Sequence, residues 1–94
     1  MKYSLNPFIQ EETEVVEQST ANEKQLIIFN DDINTFDHVI STLIKICKHT
    51  SEQAEQCTWI IHFKGKCIVK VGELKALQLM KNEICNVGIS AEVK

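Results

Sequence analysis

The apolar run Leu26-Ile27-Ile28-Phe29 predicts a strand over 25–29. It is apolar on both faces, so it belongs in the middle of a sheet. Asn30 to Asn34 then turns the chain, and Asn34 or Thr35 can cap a helix beginning there. From Phe36 the positions Phe36, Val39, Ile40, Leu43, Ile44 and Cys47 recur as a helical stripe. Thr50-Ser51-Glu52-Gln53 has the form of a capping box, and the helix it opens carries Ala54, Cys57 and Ile61 on one face before Gly65 ends it. Lys66 to Val71 alternates, Cys67, Val69 and Val71 against Ile68 and Lys70, and Gly72 breaks the strand. Glu73 opens a third helix with Leu74, Leu77, Met80 and Ile84 on its inner side, closed by Asn86-Val87-Gly88. Ile89, Ala91 and Val93 make a last short strand. The order strand, helix, helix, strand, helix, strand predicts an α+β two-layer sandwich, a three-stranded antiparallel sheet packed against three helices.

Residues 1–23 break this rhythm. Glu11, Glu12, Glu14, Glu17 and Glu23 stand there against Lys2 alone, whereas from Lys24 onward nine lysines meet eight acids. Low hydrophobicity and like charge predict a disordered acidic extension before a domain over 24–94. Phe8-Ile9 and Val15-Val16 are its apolar exceptions.

With 94 residues the chain has room for one modest core. The net charge is −3, and every one of the ten cations is lysine. Without arginine there is no bidentate fork for guanine edges or phosphates, so nucleic acid is not an expected partner. No stretch approaches the roughly 20 apolar residues of a membrane helix. The first residues lead into acids, not an apolar core, so no secretory signal is read and the cytoplasm is expected. Cys47, Cys57, Cys67 and Cys85 form no C-x-x-C pair, and with His38, His49 and His62 they lack zinc-ligand spacing. They read as small buried hydrophobes, with no metal or cofactor expected.

The residues with chemistry to offer begin at Asn30-Asp31-Asp32. Two carboxylates and a carboxamide at a strand end can hold an ammonium group through two or three hydrogen bonds. Asp and Asn are also common turn and cap residues, and the set could coordinate a hard metal ion, though no EF-hand spacing is present. His62, after Ile61 near the end of the second helix, suits a hydrogen bond to a ligand, a general base, or a cation at a helix C-terminus. No nucleophile signature accompanies it, so catalytic residues are not expected.

Taken together, the N-D-D turn after Leu26–Phe29, the helix from Phe36, the helix ending Ile61-His62, Gly65 and the strand beyond resemble the ClpS family. The resemblance covers roughly 24–93 and is sharpest between Leu26 and Gly65. It implies an adaptor, not an enzyme, that binds the N-terminal residue of N-degron substrates and delivers them to an AAA+ Clp unfoldase, ClpA- or ClpC-like, working with ClpP. The α-amino group would be gripped by Asn30, Asp31 and His62, with Asp32 shaping the same end. The first side chain would enter a pocket walled by Asn34, Phe36, Val39, Thr58 and Ile61, with Ile89 at its floor or rim. Thr58 and Phe36 stand where the family usually has methionines, Asn34 where it has a threonine and Thr35 where it has a proline. Between Gly65 and Ile89 the chain is several residues shorter than typical members. The extension over 1–23 would engage the unfoldase, and a monomer is expected. An alternative is an interaction module of the same fold, like the C-terminal domain of the ribosomal stalk protein, which would modulate a Clp ATPase without reading N-termini.

Overall fold

The computed structural model describes residues 23–94. The acidic extension expected over 1–23 therefore lies outside the described residues, Glu23 apart. The elements are, in chain order, β1 (Lys24–Phe29), α1 (Phe36–Cys47), α2 (Ser51–Lys64), β2 (Lys66–Gly72), α3 (Leu74–Asn86) and β3 (Ala91–Val93). The sheet order is β2-β1-β3, antiparallel on both sides of β1. The strand with apolar residues on both faces is thus the central one. Leu26 and Ile28 face the helices and join residues of α1, α2 and α3 in one core, whereas Ile27 lies outside that cluster. The predicted two-layer α+β sandwich is the observed fold.

Helix boundaries obey local chemistry. Thr35 caps α1, its side-chain oxygen accepting from the His38 amide at 3.1 Å. Asn34, the other candidate, uses its amide elsewhere. Both halves of the Thr50–Gln53 capping box form, at 3.0 and 3.1 Å. Gly65 ends α2 at φ +94°, a conformation that costs glycine little, and its N–H reaches the Ile61 carbonyl. Lys48 ends α1 in the left-handed region at φ 60°.

Three faces differ from the sequence expectation. In α1 the buried set is Val39, Thr42, Leu43 and Cys47, and Ile44 is exposed. Thr42 tolerates burial because its hydroxyl donates to the His38 carbonyl at 2.7 Å. In α2 Ala54, Thr58 and Ile61 are buried, while Cys57 sits at the edge of the core. Leu74, at the first turn of α3, is 45% exposed, leaving Leu77 and Ile84 as that helix's buried residues.

The alternation read along β2 also breaks, for a topological reason. Leu26 pairs with Lys70 and Ile27 with Ile68, so Val69 is an extra residue on β2, a β-bulge. Beyond it the side chains exchange faces. Val71 pairs with Gln25 and is half exposed, while the Lys70 ammonium donates to the Cys47 carbonyl at 3.1 Å. His49 Nε2 hydrogen-bonds the Val69 carbonyl at 2.7 Å. The bulge is thereby tied to the end of α1 from both sides.

All four cysteines are free. Burial pushes the Cys47 thiol up to about 11 and the Cys67 thiol up to about 12, so both stay protonated at neutral pH. Cys57 is half-buried, and Cys85 is exposed, against the expectation that all four are buried.

Leu43 is fully buried between the layers. Leu43→Ala is expected to lower the unfolding free energy by about 2–5 kcal/mol, and Thr50→Ala by about 1 kcal/mol through loss of the cap. Urea unfolding followed by circular dichroism measures both, and equal losses would contradict this division between core and cap.

Candidate functional site

The site is built where β1 runs out. Three anchors fix the turn at its end. The Phe29 amide donates to the Ser90 carbonyl at 3.0 Å, holding the strand end against the approach to β3. The Asn30 amide donates to the Gly65 carbonyl at 2.8 Å, which sets the turn beside the last residues of α2. The Asn34 side chain donates to the Gly88 carbonyl at 2.9 Å, binding the turn to the α3–β3 connection.

Within the turn Asp31 is the organising charge. Its Oδ1 accepts from the amides of Ile33 at 3.0 Å and Asn34 at 2.9 Å, and its Oδ2 accepts from Asn34 Nδ2 at 2.8 Å. The Asn34 amide bond above all holds the carboxyl below its ordinary value of 3.8, helped by the Ile33 amide and the Asn34 side chain, while partial burial works the other way. Asp31 is therefore ionised at neutral pH. An ionised carboxylate offers about four acceptor sites. Three are filled from the turn, which leaves Oδ2 room for one more donor. Asp32 and Ile33 lie exposed at the tip of the turn.

A cavity of about 310 Å³ opens beside this turn. Asn30, Asp31, Asp32 and His62 line it, with Asn34, Thr35, Phe36, Val39, Thr58 and Ile61. Val39, Thr58 and Ile61 are its buried wall. The Thr58 hydroxyl donates to the Ala54 carbonyl at 2.7 Å, so its proton is spent within α2. Ile89 is buried and lines a separate void of about 20 Å³, shared with Asn30, Asp31, Asn34, Val39 and Ile61. Every other residue singled out from the sequence lines the larger cavity itself.

Sequence reasoning missed three parts of this arrangement. Thr35 lines the cavity as well as capping α1. His38 hydrogen-bonds the Val87 carbonyl through Nε2 at 2.9 Å, a second tie to the α3–β3 connection. Trp59 meets Phe36 edge-on, with ring centroids 4.6 Å apart at 66°, and stacks on Phe63. The spacing of Trp59, His62 and Phe63 at i, i+3 and i+4 on one helix was the signal for this last feature. Among the described residues no group of three metal-ligating side chains forms, and no helix is long and apolar enough to cross a membrane.

Residues 19–91 match the family profile described as ATP-dependent Clp protease adaptor protein ClpS. The chain belongs to the ClpS family. Curated relatives agree, each named ATP-dependent Clp protease adapter protein ClpS. That of Thermosynechococcus vestitus is 35% identical over 82 residues, covering 86% of each chain. That of Synechocystis is 35% identical over 79 residues, 83% of this chain and 80% of the relative. That of Nostoc is 34% identical over 67 residues, 70% of this chain and 69% of the relative. A solved structure, Agrobacterium tumefaciens ClpS2 bound to L-phenylalaninamide, superposes with a TM-score of 0.75 at 15% identity, over 78% of this chain and 95% of that one. Its likeness establishes the shared fold. The ClpS relatives are named as adaptors of a protease.

The lowered Asp31 pKa has a measurable consequence of definite sign. A carboxylate held low in the folded state stabilises the fold above its ordinary value of 3.8, and loses that contribution as pH falls through its folded value. A carboxyl carbon NMR titration should place Asp31 below 3.8 in the wild type. In Asn34→Ala the value should rise, because the donor to Oδ2 is gone. No movement in that variant would show that Asn34 does not orient the carboxylate.

Proposed function

We propose that this ClpS chain binds the first residue of N-degron polypeptides and delivers them to a ClpA- or ClpC-like AAA+ unfoldase working with ClpP. The observation that carries the reading is the cavity's division. Polar Asn30, Asp31, Asp32 and His62 line it, and Val39, Thr58 and Ile61 form a buried wall. A chain terminus has the same division, a charged α-amino group beside an apolar first side chain.

Charge is the source of the selectivity. An α-amino group titrates at about 7.7–8.0, so it is mostly an ammonium at neutral pH. Asp31, ionised and with acceptor capacity on Oδ2, favours that form, and Asn30 and His62 supply further polar contacts. An acetylated or internal amide offers one N–H and no charge, which leaves these groups incompletely paired. Preference for free chain ends results from that mismatch. The wall adds affinity by burying the first side chain, worth about 1.5–3 kcal/mol when burial is complete. None of this requires bond making. The adaptor names of the relatives support a non-enzymatic role. In this proposal the chain acts as a monomer in the cytoplasm, and residues 1–23 contact the unfoldase.

Fluorescence anisotropy with peptides beginning Phe, Leu, Trp, Ile or Val, each free or acetylated at the N-terminus, tests the reading. The free amine should bind at least about tenfold more tightly, the size of a lost charged hydrogen bond. Asp31→Ala should remove this binding while the circular dichroism spectrum stays folded. Affinity should fall as pH rises past about 8, where the amine loses its proton. Equal binding of free and acetylated peptides would favour the interaction module that ignores chain ends.

A further inference from the structure

Helix α2 carries two large aromatic side chains on the face that also bears His62. Phe63 is 71% exposed and Trp59 44% exposed. Their rings stack, with centroids 5.1 Å apart and planes 7° apart. Phe36, a cavity residue, buttresses Trp59 from the other side. The His62 ring lies 5.1 Å from Phe63 and 6.3 Å from Trp59. The result is a fixed aromatic ledge adjoining the cavity rim at His62.

We infer that this ledge is a subsite for the second residue of the bound peptide, favouring aromatic or large apolar side chains there. The inference rests on the reading of the cavity as an N-terminal residue site. Consecutive Cα atoms are about 3.8 Å apart, so a peptide whose amino group sits at Asp31 and His62 brings its second residue within reach of the rings beside His62. In an extended chain successive side chains point to opposite sides. With the first directed into the cavity, the second turns outward to the level of the rim, where Phe63 stands exposed. Stacking on a ring already held in place costs little ordering, and aromatic pairs add to simple burial.

The test is anisotropy of labelled peptides beginning Phe-Ala and Phe-Tyr, both with free N-termini, on the full chain and on Phe63→Ala. Wild type should bind Phe-Tyr roughly three- to tenfold more tightly than Phe-Ala. In Phe63→Ala the ratio between Phe-Tyr and Phe-Ala should fall close to one. Because the ratio is taken within one protein, a variant of lower overall affinity still reports. Equal binding of Phe-Tyr and Phe-Ala by the wild type, or a ratio that survives Phe63→Ala, would overturn the ledge and leave the amino-end site standing. Failure of the wild type to bind even Phe-Ala would remove both.

Discussion

The site depends on one carboxylate satisfied from its own turn. Asp31 gathers the Ile33 amide, the Asn34 amide and the Asn34 side chain, all from residues immediately beyond it in the chain. That local closure gives the turn one shape. Without it the three anchors to Ser90, Gly65 and Gly88 would have no rigid body to act on. The same bonds that lower the carboxyl's pKa also keep it charged, so the group that shapes the loop is the group proposed to attract the ligand. Structural and functional readings of Asp31 are two aspects of one arrangement.

Anchoring at three separate places has a further consequence. The Gly65 contact places the turn against the end of α2, which carries His62, Ile61 and Thr58. The Gly88 contact places it against the α3–β3 connection, and His38 adds a second bond there at Val87. The cavity thus lies at the junction of β1, α1 and α2 and is linked by hydrogen bonds to the end of α3. Its buried wall is part of the main core, since Val39 and Ile61 both belong to the cluster that holds the layers together. Rigid walls of this kind suit recognition by shape, because little ordering is left to occur on binding.

The fold was largely legible in the sequence because its signals are local. The Thr50–Gln53 box, Gly65 and the apolar run of β1 each act within a few residues, and each does in the structure what its chemistry predicts. The Asn30-Asp31-Asp32 turn and His62 could be read as partners only through the family resemblance, since 30 residues of chain separate Asp32 from His62. What escaped was non-local or depended on satisfied polar groups. The bulge at Val69 arises from pairing with β1 and leaves no mark in the alternation of β2. Thr42 and Thr58 look like surface residues until their hydroxyls are seen donating to carbonyls one turn back. The Asn34–Gly88 bond spans 54 residues, beyond any periodicity.

The central claim is that a charged amino terminus is held at this turn. Amide NMR spectra recorded during titration with L-phenylalaninamide, and separately with its N-acetylated form, test it most directly. Shifts centred on Asn30 to Phe36, Val39 and Thr58 to His62 are expected with the free amine, and none of comparable size with the acetylated compound. Equal shifts from both compounds, or shifts centred instead on the exposed Leu74–Leu79 face of α3, would contradict it.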